Sequence, residues 1–400
     1  MAALILPDAP FRRMEGLDAL LAALGEGRAR YVGGIVRDTL LGLVAADVDV
    51  ATPHEPTEVL RRLEGANIRA VPTGIAHGTV TAVLSSGPVE VTTLRRDVST
   101  DGRHAVVAFT DDWREDASRR DFTMNALYAD PWTGEVHDYF GGLADLDARR
   151  VRFIGDPLAR IAEDHLRILR FFRFHARFGD VPDEAGLAAC TRRARDLMAL
   201  SRERIAAELL KLLVAPGAVR VVALMLKHAV LAPVLPEIVD TAPLAELVRR
   251  EAATGTSPDP IRRLAALLPR DPAVAEAIAA RLKLSNVQRK RLAVAAEKGL
   301  PTSDPRALAY RLGREGAVDR LLLDGADPEG ALRRLAGWEA PRLPISGGAI
   351  VARGVRAGPA VARLLAQVEN QWVAEAFPPI ERVEELAEVA VADWLASSSE

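Results

Sequence analysis

Apolar and polar positions alternate in two rhythms along these 400 residues, and the rhythm changes near residue 150. Before that point, short runs with a period of two are interleaved with short helical patterns. ARYVGG (residues 29–34) predicts a strand running into a glycine turn, IVRDTLLG (35–42) a short helix, DVDVAT (47–52) a strand, and EPTEVLRRLEG (55–65) a helix opening at Pro56. IRAVPT, HGTVTAVL and PVEVTTLR predict three more strands, the last two joined by a hairpin turn at SSGP. Residues 95–121 are charged and irregular in pattern, which predicts a mobile loop.

From about Asp156 the period is helical. PLARIAEDHLRILRFFRFHARFG predicts one long helix, DEAGLAACTRRARDLMAL a second, and SRERIAAELLKLLVA a third with Ser201 as its cap. Helical patterns continue to about Leu395, separated by Pro/Gly joints such as ATGTSPDP and APRLPISGG. The expected fold class is therefore α+β: a head with a small mixed sheet over residues 1–150, then all-α segments over 151–240 and 241–400.

Composition narrows the setting. With 49% hydrophobic residues the chain can bury a sizeable core, yet no apolar run reaches the roughly 18 residues of a membrane span. The best candidate, VVALMLKHAVLAPVL from Val221, is broken by Lys227 and His228. The N-terminus has no basic stretch ahead of its apolar one, so neither a membrane helix nor secretion is expected. A single cysteine, Cys190, rules out an internal disulfide and multi-cysteine zinc, favours a core role for that thiol, and points to a reducing, cytoplasmic setting. The seven scattered histidines support no zinc site. Net charge is −3, but residues 149–178 hold eight arginines against three acids, a local basic patch suited to RNA.

Several short stretches carry candidate chemistry. On a strand, Asp47 and Asp49 share one face about 7 Å apart while Val48 and Val50 share the other. That is a plausible Mg²⁺ site, although the wet face of an ordinary strand looks the same. Upstream, the glycine turn of VGGIVRD lets backbone approach a polyphosphate, with Arg37 one turn further on. Asp164, Arg167, Arg170 and Arg173 recur every third residue as a polar stripe, with a solvated face of ion pairs as the plainer alternative.

Together, VGGIVRD, DVDV, ASRRDFTMNAL (117–127) and RIAEDHLRILRFFRF (160–174) resemble the ordered motifs of class II tRNA nucleotidyltransferases, the CCA-adding enzymes and bacterial poly(A) polymerases of the DNA polymerase β-like superfamily. The resemblance covers about residues 25–215. It implies a palm-like catalytic head, a base-selecting neck over 151–240, and a body and tail over 241–400 that bind the tRNA acceptor arm. Asp47 and Asp49 would hold two Mg²⁺ ions, with Glu90 as third carboxylate unless it merely pairs with Arg95 or Arg96. Gly34, Arg37 and Arg120 would touch the triphosphate of CTP or ATP. Asp164 and Arg167 would read the base, and Arg170 and Arg173 would reach phosphates or brace Asp164. The implied activity is template-independent addition of CCA to tRNA, the alternative a poly(A) polymerase or an enzyme adding only CC or only A. A full-length loop at 95–121 points to complete CCA addition.

Overall fold

The structure is a computed structural model that describes residues 4–45, 47–100 and 105–397. It divides into two units, Met1–Val239 and Asp240–Glu400.

The first unit opens with α1 (Leu17–Leu24), β1 (Arg30–Val32), α2 (Gly34–Leu40), β2 (Asp49–Thr52) and α3 (Pro56–Gly65). Next come β3 (Arg69–Gly74), β4 (Thr79–Leu84), β5 (Gly87–Thr93), β6 (Arg95–Thr100), β7 (Ala105–Phe109) and α4 (Trp113–Ser118). β8 (Leu127–Ala129), β9 (Val136–Asp138) and α5 (Gly142–Asp147) complete the strand-rich part. Seven strands form one mixed sheet in the order β3-β4-β5-β2-β1-β8-β9. β2 lies inside it, parallel to β5 and antiparallel to β1. Pro56 at the first turn of α3 suits a position whose N–H would be unpaired anyway, and Val59 and Leu63 bury that helix against β3, β4 and β5.

The expected loop at 95–121 is largely ordered structure. β6 and β7 pair antiparallel as a separate two-stranded ribbon, with residues 101–104 outside the described set. The short apolar run AVVAF (105–109) supplies the strand signal that the surrounding charge obscures. α4 then follows, capped by the Asp112 carboxylate, which accepts from the Arg114 and Glu115 amides.

Helices α6 (Pro157–Glu163), α7 (Arg167–Phe178), α8 (Glu184–Arg192), α9 (Arg202–Leu213) and α10 (Ala218–Lys227) finish this unit. The single long helix expected over 157–179 is thus two helices with a break at 164–166. Phe122 packs on Phe153 at 5.0 Å and on Phe174 at 5.3 Å between ring centroids, and Phe153 stacks on Phe171 at 5.6 Å. These buried rings clamp α7 to the RRDFT segment as part of the core. Cys190 is likewise fully buried, and burial pushes its thiol pKa well up.

The second unit is helical from α11 (Ala242–Thr254) to α19 (Ile380–Ser397). At its centre Arg262 bridges the buried carboxylates of Glu251 (2.7 Å) and Asp319 (2.8 Å), with Arg263 and Arg291 completing the network. Two apolar clusters, around Leu308 and Leu321 and around Trp372 and Val383, supply its core. Among the described residues no helix is long and apolar enough to cross a membrane.

Candidate active site

The floor of the site is the N-terminal end of β2. Asp47 stands just ahead of the strand, but the Glu90 amide donates to the Val48 carbonyl at 3.1 Å and so carries the β5 ladder back to that point. The alternation expected of DVDV holds: Val48 and Val50 are buried, Asp49 is half-buried and Asp47 exposed. Ala51, on the Asp49 face, joins a cluster with Val32, Leu94, Ala126 and Tyr128 that supports the carboxylates from below. Asp49 and Glu90 are register partners across the parallel β2–β5 pair, so their side chains leave the sheet on the same face. Arg96 lies 4.0 Å from Glu115.

Among the described residues, no donor or ion-pair partner reaches the carboxylates of Asp47, Asp49 or Glu90. Burial raises the Asp49 pKa to about 6, with the Glu90 and Asp47 charges adding to it and Arg120 opposing. Like charges gathered without a cation are what a divalent ion relieves. Among the described residues no cluster of three His, Cys, Asp or Glu could hold an ion alone. Mg²⁺ needs only one or two carboxylates and takes water and substrate phosphate oxygens for the rest, so Asp47 and Asp49 fit it.

This makes a prediction about the protein without nucleotide. Because the folded-state pKa of Asp49 lies above the ordinary 3.8, its contribution to stability is full below that value and is lost as pH rises through about 6. Mg²⁺ should offset that loss. Its stabilisation, read as a shift in the unfolding midpoint of about 2–4 °C near pH 8, should shrink towards zero near pH 5. An equal shift at both pH values would contradict the assignment.

Beside the carboxylates runs the glycine turn. Gly33 has φ +72°, and a Cβ there would come within 3.4 Å of Arg120 Nη1 and 3.5 Å of the Asn125 carbonyl. The positive φ is what favours glycine at Gly33, since those contacts are of ordinary length, and Gly34 meets nothing closer than 3.7 Å. Arg37 is buried: its Nε donates to Asp38 at 2.7 Å, its Nη1 donates to Asn125, and its guanidinium lies 4.2 Å over the Phe178 ring. Arg120 donates to buried Asp116 at 3.1 Å and to the Tyr128 hydroxyl at 3.2 Å. Burial works against its charge, but Tyr128 and Asp116 outweigh that and hold its pKa above the usual value.

The third wall comes from the break between α6 and α7. Asp164 has extended backbone, and its Oδ1 accepts the Leu166 amide at 3.0 Å. A short acidic side chain that caps the next turn competes with helix continuation, which is why the break falls here. Its Oδ2 accepts from Arg204 on α9 at 2.8 Å. Arg167 donates to the carbonyls of Arg160 (2.9 Å) and Arg119 (3.1 Å) and to Glu163. These take three of the five guanidinium N–H donors and leave the others for a ligand. Arg170 donates to Asp121 at 2.7 Å, and Arg173 pairs with Glu208 on α9.

Gly34, Arg37, Asp47, Asp49, Arg120, Asp164, Arg167, Arg170 and Arg173 all line one polar cleft of about 600 Å³; Glu90 does not. Arg119, Asp121, Asn125 and Phe174 line it as well. Three of these lie in the RRDFTMN stretch, whose density of polar residues beside apolar ones was the available signal. Arg204 was missed because nothing in the local pattern of its helix links it to Asp164, 40 residues away. Arg204→Ala should free the Asp164 carboxylate to turn. If Asp164 reads the base, as the resemblance implies, discrimination against UTP and GTP should fall about 10-fold, with turnover of CTP reduced less, by the loss of one charged hydrogen bond; unchanged discrimination in single-nucleotide incorporation would refute the bracing role.

Comparison with known proteins agrees with this geometry. Residues 29–152 match the family profile "Poly A polymerase head domain", and residues 182–241 match "Probable RNA and SrmB- binding site of polymerase A". The chain is 36% identical to the protein named CCA tRNA nucleotidyltransferase 1, mitochondrial, of Mus musculus, over 90% of this chain and 86% of that one. The Homo sapiens protein of the same name shows the same identity and coverage. A crystal structure of the Bacillus stearothermophilus CCA-adding enzyme in complex with CTP superposes with a TM-score of 0.73 at 28% identity, covering 92% of this chain and 94% of that one.

Proposed function

The chain belongs to the CCA tRNA nucleotidyltransferase family and is a nucleotidyltransferase of tRNA processing, and we propose that it builds CCA on the tRNA 3′ end with the cleft just described. The observation that carries the reading is that side chains suited to metal, phosphate and base line one cleft. In this reading residues 1–150 are the catalytic head, 151–240 the neck, and 241–400 a body and tail that hold the acceptor arm.

Asp47 and Asp49 would hold Mg²⁺ as two ions, which when bound supply Lewis-acid stabilisation of the attacking and leaving oxygens. The RNA 3′-hydroxyl oxygen forms a bond to the α-phosphorus, the bond from that phosphorus to the bridging oxygen breaks, and pyrophosphate leaves with the electron pair. Glu90, beside Asp49, completes the acidic face where the hydroxyl proton is lost. Gly34, Arg37 and Arg120 orient the triphosphate, and Arg170 and Arg173 keep the neck side of the cleft positively charged.

Base choice falls to Asp164 and Arg167. A carboxylate accepts from the exocyclic amine of cytosine or adenine, and the free donors of Arg167 reach a ring nitrogen acceptor. Uracil and guanine present a carbonyl in the amine's place, facing the carboxylate with lone pairs, so both are refused. The single, buried cysteine fits a reducing, cytoplasmic setting. The test is extension of a tRNA that lacks its last three nucleotides, with all four triphosphates present. A product three nucleotides longer and ending in CCA is expected; one ending in CC, or a long heterogeneous tail, would overturn the reading.

A further inference from the structure

Tyr128 does not line the polar cleft, yet its hydroxyl is bonded to an arginine that does. It donates to Asp116 Oδ2 at 2.5 Å and accepts from Arg120 Nε at 3.2 Å. Arg120 Nη2 donates to the same Oδ2 at 3.1 Å, which closes a ring of three side chains. The other oxygen of Asp116 accepts from Arg119 (2.7 Å) and from the Arg95 amide at the start of β6 (3.1 Å). Asp116 and Tyr128 are both fully buried, and the Tyr128 ring is locked edge-on to Trp113 at 5.6 Å and to Tyr139 at 6.0 Å. Burial raises the phenol pKa, so the hydroxyl keeps the proton it donates. Burial also opposes the Asp116 charge, but Arg120 and Arg119 outweigh it and hold that carboxyl below the ordinary range.

We propose that Tyr128 is a positioning residue whose hydroxyl aims the Arg120 guanidinium at the glycine turn and so sets the strength of the grip on the triphosphate. The inference rests on the function proposed above and adds what fixes its anion-binding arginine. The ring of side chains takes Nε and one N–H of Nη2. Among the described residues no acceptor reaches Nη1, which lies 3.4 Å from where a Cβ of Gly33 would stand. Both N–H groups of Nη1 are thus left for a ligand beside the backbone that approaches the polyphosphate. The turn and the arginine share one support: the Gly33 amide donates to the Leu127 carbonyl at 3.0 Å, and Tyr128 is the next residue of β8, in register with Val32 of β1. A free arginine gives up part of its binding energy to the ordering of its own side chain. A guanidinium already held by a carboxylate and a phenol has lost that freedom before the ligand arrives. Removing the hydroxyl changes no charge, so its effect reports aim alone.

The test uses the full chain carrying Tyr128→Phe, which keeps the buried ring, with Arg120→Ala and the double variant alongside. Two probes are titrated without RNA, each as its magnesium complex: CTP, and inorganic tripolyphosphate, which has the phosphates and no base. Tyr128→Phe should weaken both by the same factor, about 3- to 10-fold, the net worth of one hydrogen bond. On the Arg120→Ala background the same substitution should change neither affinity by more than about twofold, since the hydroxyl acts through the arginine. In CTP addition to a tRNA lacking CCA, Tyr128→Phe should raise KM and leave kcat within about twofold of wild type. Wild-type affinity of Tyr128→Phe for tripolyphosphate overturns the proposal. An equal loss on both backgrounds, expected if the hydroxyl merely holds α4 or the start of β6 through Asp116, overturns it as well. So does a loss confined to CTP, which would place the effect at the base. Binding of tripolyphosphate by a wild-type protein that adds no nucleotide to tRNA would instead refute the function on which the proposal rests.

Discussion

Asp49→Asn is expected to reduce nucleotide incorporation by at least about 10³-fold in kcat, equivalent to about 4 kcal/mol of transition-state stabilisation. Asp47→Asn should do the same. Both substitutions keep shape and remove a negative charge, so affinity for tRNA should not fall by more than about a factor of two. Asp49→Asn should also make the metal-free protein more stable near neutral pH, by about 1 kcal/mol after allowance for solvent screening. Its carboxylate is half-buried, flanked by Glu90 and Asp47, and held to a pKa of about 6, so its ionisation opposes folding. A variant that loses activity because it unfolds would show the reverse change in stability. The pair of measurements, single-turnover incorporation and thermal unfolding with and without Mg²⁺, separates the two; retained activity would contradict the metal assignment.

The second large effect concerns choice, not rate. In the proposed reading, Asp164→Ala removes the acceptor for the exocyclic amine, and with it the repulsion that refuses a carbonyl. Discrimination of CTP over UTP, and of ATP over GTP, should fall about 10- to 100-fold, the range for one well-placed polar contact to a base. The substitution also frees Arg204, whose guanidinium then has no carboxylate at 2.8 Å to hold it. Asp164→Asn releases Arg204 as well, since an amide NH2 replaces the oxygen that accepted from it, but it keeps the turn cap to Leu166 and replaces an obligate acceptor by a group that both donates and accepts. It should admit UTP while CTP turnover falls only modestly. Discrimination equal to wild type in either variant would mean that the base is read elsewhere.

What the chain's pattern could reveal of this site followed from how local each signal is. Asp47 and Asp49 were legible because a period of two on a strand fixes which side chains share a face, and the β5 ladder extends far enough to enforce it. Arg37 and Arg120 were legible by resemblance of their motifs, but not their partners: the buried Asp116, which anchors Arg120, sits in the charged stretch expected to be a loop. The break at Asp164 was hidden because the arginine stripe continues through it with unchanged spacing, so periodicity argued for one helix. Only the extended backbone and the cap to Leu166 disclose that Asp164 stands at a corner and not on a helix face. The Glu251–Arg262–Asp319 network was equally invisible, since burial of so many charges is unlike the usual core and depends on pairing between residues 57 positions apart.

The proposed choice of cytosine and adenine over uracil and guanine, made by side chains with no template, is tested by offering each triphosphate alone, with Mg²⁺, to a tRNA lacking CCA and to one already ending in CC, and counting the nucleotides added. Two C residues are expected from CTP on the first RNA, a single A from ATP on the second, and none from UTP or GTP on either. Long A tracts from ATP alone, on either RNA, would contradict it.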